Sequence, residues 1–188
     1  MPRVNLEGSS SIVTGGASGI GEACARQLAA LGSKVVVADL NEERGTAVAN
    51  EIGGCFVKCD VASIDDADAA VAAAIEMGPL RACVNSAGIG AAGRTVSRDN
   101  DPFPLDKFEF VIRVNLIGTF NMLSRAAAQM AKQDPLDDDG GRGAIVNLAS
   151  AAAFDGQIGQ CAYSASKAGV VGMALPIARD LSAVGVRV

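Results

Sequence analysis

A doubly wound α/β fold built on a parallel sheet is predicted by three features of this 188-residue sequence. Short β-branched, apolar runs alternate with longer segments of helical period, the pattern of strands buried on both faces by crossover helices. Hydrophobic residues make up 49% against 20% charged, enough apolar surface for one packed core at this length. A glycine cluster follows the first run and opens the first helical segment, the place where such sheets bind ligands.

The first strand is expected at 11–14. It runs into Thr14-Gly15-Gly16-Ala17-Ser18-Gly19-Ile20-Gly21 and then a helix over 19–31. Without Cβ atoms, glycines let the backbone approach a phosphate, and a helix starting there aims its unpaired N–H groups at the same anion. Taken alone, the cluster also reads as a tight turn. The second strand, 34–39, ends in Asp39, 18 residues after Gly21, near the interval expected of an acid that holds ribose hydroxyls and repels a 2′-phosphate. That spacing favours NAD over NADP; capping of the next helix, 41–52, is the other reading of Asp39.

The third strand, 55–60, is followed by Val61, and a helix is expected over 63–77. Asp60 either accepts from an adenine amino group or caps that helix. The fourth strand, 82–85, ends in Asn85-Ser86-Ala87-Gly88 at the ligand-binding edge. After it, 89–105 and 133–143 lack periodicity and read as surface loops, with Asp137, Asp138 and Asp139 a solvated tip. Between them a helix is expected over 106–132. Its Asn115 lies in an apolar stretch, an amide reserved either for a site or for a buried hydrogen bond.

A fifth strand, 144–148, leads to Ser150, whose hydroxyl is available to a substrate carbonyl or to a turn. The last helix, 160–183, carries Tyr163 and Lys167 one turn apart on one face. A cation beside a phenol favours the phenolate, a physical means of making tyrosine an acid or base near neutrality. Residues 184–188 read as the beginning of a sixth strand, so a truncated chain is expected, with residues 1–188 forming a single domain.

Taken together and in order, the glycine turn, Asp39, Asp60, Asn85-Ser-Ala-Gly88, Asn115, Ser150 and Tyr163-x3-Lys167 resemble the short-chain dehydrogenase/reductase family. The resemblance implies a Rossmann-type sheet and NAD held by Gly15, Ser18, Gly19, Ile20, Gly21, Asp39, Asp60, Val61, Asn85, Ala87, Gly88, Tyr163 and Lys167. It also implies four catalytic residues: Tyr163 as general acid/base, Lys167 supporting it and holding the nicotinamide ribose, Ser150 orienting the substrate oxygen, and Asn115 anchoring a water relay. The insertion Gln133 to Gly143, followed by segments 151–167 and 172–181, is similar to the type 2 3-hydroxyacyl-CoA dehydrogenase branch, also described as 17β-hydroxysteroid dehydrogenase type 10. This implies oxidation of 3-hydroxyacyl-CoA, an acyl-CoA thioester substrate, a place in lipid metabolism and a homotetramer. Ser86 departs from the second asparagine of many members. A 3-oxoacyl-carrier-protein reductase and a non-catalytic dinucleotide-binding protein are the alternatives.

Composition narrows the chemistry. There is no histidine, which excludes Ser-His-Asp and Cys-His catalysis. The net charge of −5 argues against a nucleic-acid partner. No apolar run approaches the roughly 18 residues of a spanning helix. Met1–Asn5 carries no signal pattern, so a cytoplasmic address is expected. The five cysteines have no C-x-x-C spacing and are expected to be small buried hydrophobes with no metal role, Cys161 being notable for its closeness to Tyr163.

Overall fold

The computed structural model describes residues 6–136 and 138–188. Asp137 of the aspartate run and residues 1–5 lie outside the described residues, while Asp138 and Asp139 are exposed. Among the described residues, six strands form one sheet: β1 (Ser10–Thr14), β2 (Lys34–Asp39), β3 (Cys55–Lys58), β4 (Leu80–Asn85), β5 (Gly143–Asn147) and β6 (Val186–Arg187). Their order is β3-β2-β1-β4-β5-β6 and every pairing is parallel. The order reverses beside β1, where Thr14 stands opposite both Ala38 and Asn85. A crevice therefore opens beyond the carboxyl ends of β1 and β4, the position at which open α/β sheets bind ligands.

Successive residues of a strand face opposite sides, so β1 feeds two cores. Ile12 joins Val36, Cys83 and Ile145 beneath α3 (Ile64–Met77), α5 (Gly118–Ala131) and α6 (Cys161–Ser182), meeting Ala70, Ala74, Met122, Met130 and Ile177. Val13, with Val35 and Val37, meets α1 (Gly19–Ala30) and α2 (Glu42–Ile52) through Ala25, Val48 and Ala49. Small helical residues at these contacts let the helices lie close to a valine-rich sheet. On the α1 and α2 side the cover stops short of β5, where Val146 is exposed.

The helix expected over 106–132 is present, running without a gap from Leu105 to Ala131, but it contains a π-turn. It is α4 (Leu105–Ile112), a π-turn (Arg113–Ile117) and α5. One extra residue per turn shifts the face that follows, and Asn115 within the turn is fully buried. The third strand ends at Lys58 rather than residue 60; Cys59 N–H still donates to Asp39 O at 3.0 Å before the chain turns away at Asp60. The cysteine expectation holds for Cys59 and Cys83, whose burial pushes each thiol up to about 12. It holds in part for the half-buried Cys24 and Cys55 and fails for Cys161, which is exposed at the first position of α6.

Candidate active site

The carboxyl ends of the strands border a cleft of about 1190 Å³ whose wall includes Gly15, Ser18, Gly19, Ile20, Asp39, Asp60, Val61, Ala87, Gly88, Ser150, Tyr163 and Lys167. At its base the glycine turn is set by close approaches. Gly15 has φ +64°, and a Cβ there would stand 2.8 Å from Ala87 N. A Cβ on Gly21 would stand 2.1 Å from Gly15 O, so only glycine lets α1 begin against the turn. Gly19, with φ +55° and open space around it, faces the cleft. The Thr14 hydroxyl accepts from Ser86 N–H and Ala87 N–H, both at 3.1 Å, tying the two loops across the point of strand reversal. A backbone cradle without side chains at the start of a helix fits the pyrophosphate of a dinucleotide.

The carboxylates flank that cradle. Helix α2 is capped by Asn41 and α3 by Ser63, so the capping readings of Asp39 and Asp60 do not hold. Asp39 accepts instead from Ala17 N–H at 3.0 Å and Asn41 N–H at 2.9 Å, which aims its carboxylate at the rim of the glycine turn. Asp60 accepts from Ala62 N–H at 2.9 Å and stands 3.5 Å from the Arg113 guanidinium, a half-exposed pair of small energetic weight. Asn85 is buried and its side chain does not reach the cleft wall. Its amide donates to Asn147 across the β4/β5 pair at 2.8 Å, leaving only its strand end to shape the site.

At the other end of the cleft, Lys167 is 5% exposed, and burial lowers its pKa below the usual value for lysine. Its ammonium donates to Leu148 O at 2.7 Å and lies 5.8 Å from the centroid of the Tyr163 ring. Ser150 begins the short turn Ala151–Ala153, where its Oγ accepts from Ala152 N–H at 3.2 Å. That bond occupies an oxygen lone pair and leaves the O–H free to donate. Asn115 is not in the wall. Its Oδ1 accepts from Ile89 N–H at 2.8 Å, and its Nδ2 donates to Ile89 O at 2.9 Å and Ser166 Oγ at 3.0 Å. The amide thus clasps the loop after β4 to α6.

The sequence reading missed the Thr14 clasp and also Gln157 and Gln160, which line the cleft between Ser150 and Tyr163. Gln160 Oε1 accepts from Gln157 N–H at 3.0 Å, a local bond that two glutamines three apart in a glycine-bearing loop make possible.

A short chain dehydrogenase family model matches residues 10–188. A 3-hydroxyacyl-CoA dehydrogenase type-2 of Drosophila melanogaster is 49% identical over 97% of this chain and 73% of its own length. The protein of the same name from Homo sapiens is 44% identical over 98% of this chain and 72% of its own. A crystal structure of 3-hydroxyacyl-CoA dehydrogenase type-2 from Mycobacterium avium superposes with a TM-score of 0.93 at 46% identity, covering 96% of this chain and 72% of that one.

Proposed function

Because this chain belongs to the short-chain dehydrogenase family, we propose that it is an NAD-dependent dehydrogenase oxidising 3-hydroxyacyl-CoA thioesters to 3-oxoacyl-CoA. The family and its relatives make it an oxidoreductase of CH–OH groups that uses a nicotinamide dinucleotide and a small-molecule substrate. The observation that carries the reaction is the meeting of Ser150, Tyr163 and Lys167 in one cleft with the glycine cradle. The choice of substrate is supported by relatives named for 3-hydroxyacyl-CoA at 44% and 49% identity, and the choice of NAD by Asp39 at the cradle rim.

Gly15, Ser18, Gly19, Ile20 and Gly21 would hold the pyrophosphate, Asp39 the adenosine ribose, and Asp60 with Val61 the adenine. Ala87 and Gly88 would flank the path to the nicotinamide, with Asn85 setting the strand end beneath them. Bound there, the dinucleotide supplies a two-electron acceptor for the hydrogen leaving the carbinol carbon. Tyr163 removes the hydroxyl proton as general base, with the Lys167 ammonium 5.8 Å from the centre of its ring. The Ser150 O–H donates to the substrate oxygen and holds it toward the phenol. Lys167 spends one N–H on Leu148 O, and its two others are available to a ribose. As anchor of a water relay, Asn115 would work through its main chain, since its amide is taken up by Ile89 and Ser166.

The test is consumption of NADH with acetoacetyl-CoA by the purified protein. Turnover saturating with the thioester is expected. No turnover with the thioester alongside good turnover of an unrelated ketone would remove the substrate and leave the reaction class standing.

A further inference from the structure

We infer that Asn121 is a positioning residue that sets affinity for the adenine half of the dinucleotide, an inference resting on the reading of the cleft as a dinucleotide site. Asn121 is outside the cleft, on α5, and is 8% exposed. Both hydrogens of its amide are used on one turn: Nδ2 donates to Val61 O at 2.8 Å and to Ser63 O at 3.0 Å. That turn connects β3 to α3, and its Cys59, Asp60 and Val61 line the cleft.

The turn is held from two sides. One helical turn before Asn121, a Cβ on Gly118 would stand 2.5 Å from Val61 Cγ2, so the helix lies directly against the valine. Beyond it, Asn121 Oδ1 accepts from the Arg125 guanidinium, which is paired at 2.7 Å with Asp68 on α3. Arg125 fixes which end of the amide carries the oxygen, and hence that the NH₂ faces the two carbonyls. Serine or threonine offers one donor, and a carboxylate offers none, so asparagine suits the task by its two-pronged donor.

Asn115, Gly118 and Asn121 follow at intervals of three and serve two loops. Asn115 clasps Ile89 after β4, while Gly118 and Asn121 clasp the turn after β3. One helix thereby holds loops on both sides of β1. If Asn121 loses its donors, Val61 keeps a buried carbonyl without its partner while Ser63 O retains only Ala67 N–H at 3.2 Å, and the turn relaxes away from the geometry that presents Asp60 and Val61. Ser150 stands in the turn after β5, and Tyr163 and Lys167 stand on α6, apart from Asn121 and its partners.

The experiment compares wild type with Asn121→Leu and the isosteric Asn121→Asp, which carries the test if leucine prevents folding. Dissociation constants are measured for NADH by fluorescence, and for AMP and nicotinamide mononucleotide by competition. Both folded variants are expected to bind NADH and AMP at least about tenfold more weakly, with nicotinamide mononucleotide within about twofold. Arg125→Met should show a smaller change of the same pattern. AMP affinity unchanged in a folded Asn121→Asp variant, or AMP and nicotinamide mononucleotide weakened equally, overturns the inference while the dinucleotide reading stands. A wild-type protein that binds neither NADH nor AMP overturns both.

Discussion

At the β1–α1 turn the cleft wall is built on glycine backbone, whereas at α6 it carries the buried Lys167, with the buried Asn115 behind the wall. The first region works by close approach: Gly15 against Ala87, and Gly21 against Gly15. The second works by desolvation: Lys167 and Asn115 are almost or wholly buried, and their hydrogen bonds end on Leu148, Ile89 and Ser166. A change in the first region should therefore act on binding and stability together. A change in the second should separate turnover from binding.

The largest expected effect breaks that comparison if it fails. Tyr163→Phe keeps the ring and removes the acid–base hydroxyl, so kcat should fall by about 10²–10⁴, with NADH affinity and Tm close to wild type. Steady-state kinetics alongside NADH titration check it; retained turnover rejects Tyr163 as the base. Next comes Gly21→Ala. A methyl group 2.1 Å from a carbonyl oxygen forces the α1 start away from the turn, at a cost of about 1–3 kcal/mol and about a tenfold loss in NADH affinity. Gly19→Ala meets nothing within 4 Å and bears only the strain of its positive φ, about 1 kcal/mol. Urea unfolding of the two variants checks the contrast, and equal losses would show that close approach is not what the first region depends on.

Legibility in the sequence divides along the same line. Valine runs and glycines announce strands and a turn through local chemistry, so the element order, the parallel sheet and the cradle could be read directly. Asn115 was visible only as an amide out of place in an apolar helix. The π-turn that buries it depends on Ile89 and Ser166, 26 and 51 residues away, and no local pattern carries that information. Asn121 gave even less signal, since both its partners come from the turn after β3, 58 and 60 residues earlier in the chain. For Asp39 and Asp60 the sequence left capping open. Asn41 and Ser63 closed it, because a cap must lie immediately before its helix and those two residues do.

Asp39 sharpens the account of the first region by adding a charge to it. Asp39→Asn keeps an oxygen for Ala17 N–H and removes the negative charge from the rim, while Arg44 remains close by, donating to Ala17 O at 3.2 Å. The ratio of kcat/KM for NAD over NADP should fall about tenfold, equivalent to ~1.4 kcal/mol. An unchanged ratio would mean that shape, not charge, excludes a 2′-phosphate.

The smallest effect concerns the second region and is read as a slope. Burial lowers the Lys167 pKa below its ordinary 10.5 in the folded protein, so between that lowered value and 10.5 the unfolded chain holds more protons than the folded one. Stability contributed by this site therefore rises as pH increases through that window, and below it the full cost of a buried ammonium is present. Lys167→Met has no such proton to release. The stability of wild type relative to Lys167→Met should thus improve as pH is raised toward 10.5, with all other titrating groups common to both proteins. Urea midpoints at a series of pH values measure the difference. Parallel profiles would mean that the ammonium is solvated through the cleft, and that the second region owes its chemistry to placement rather than to desolvation.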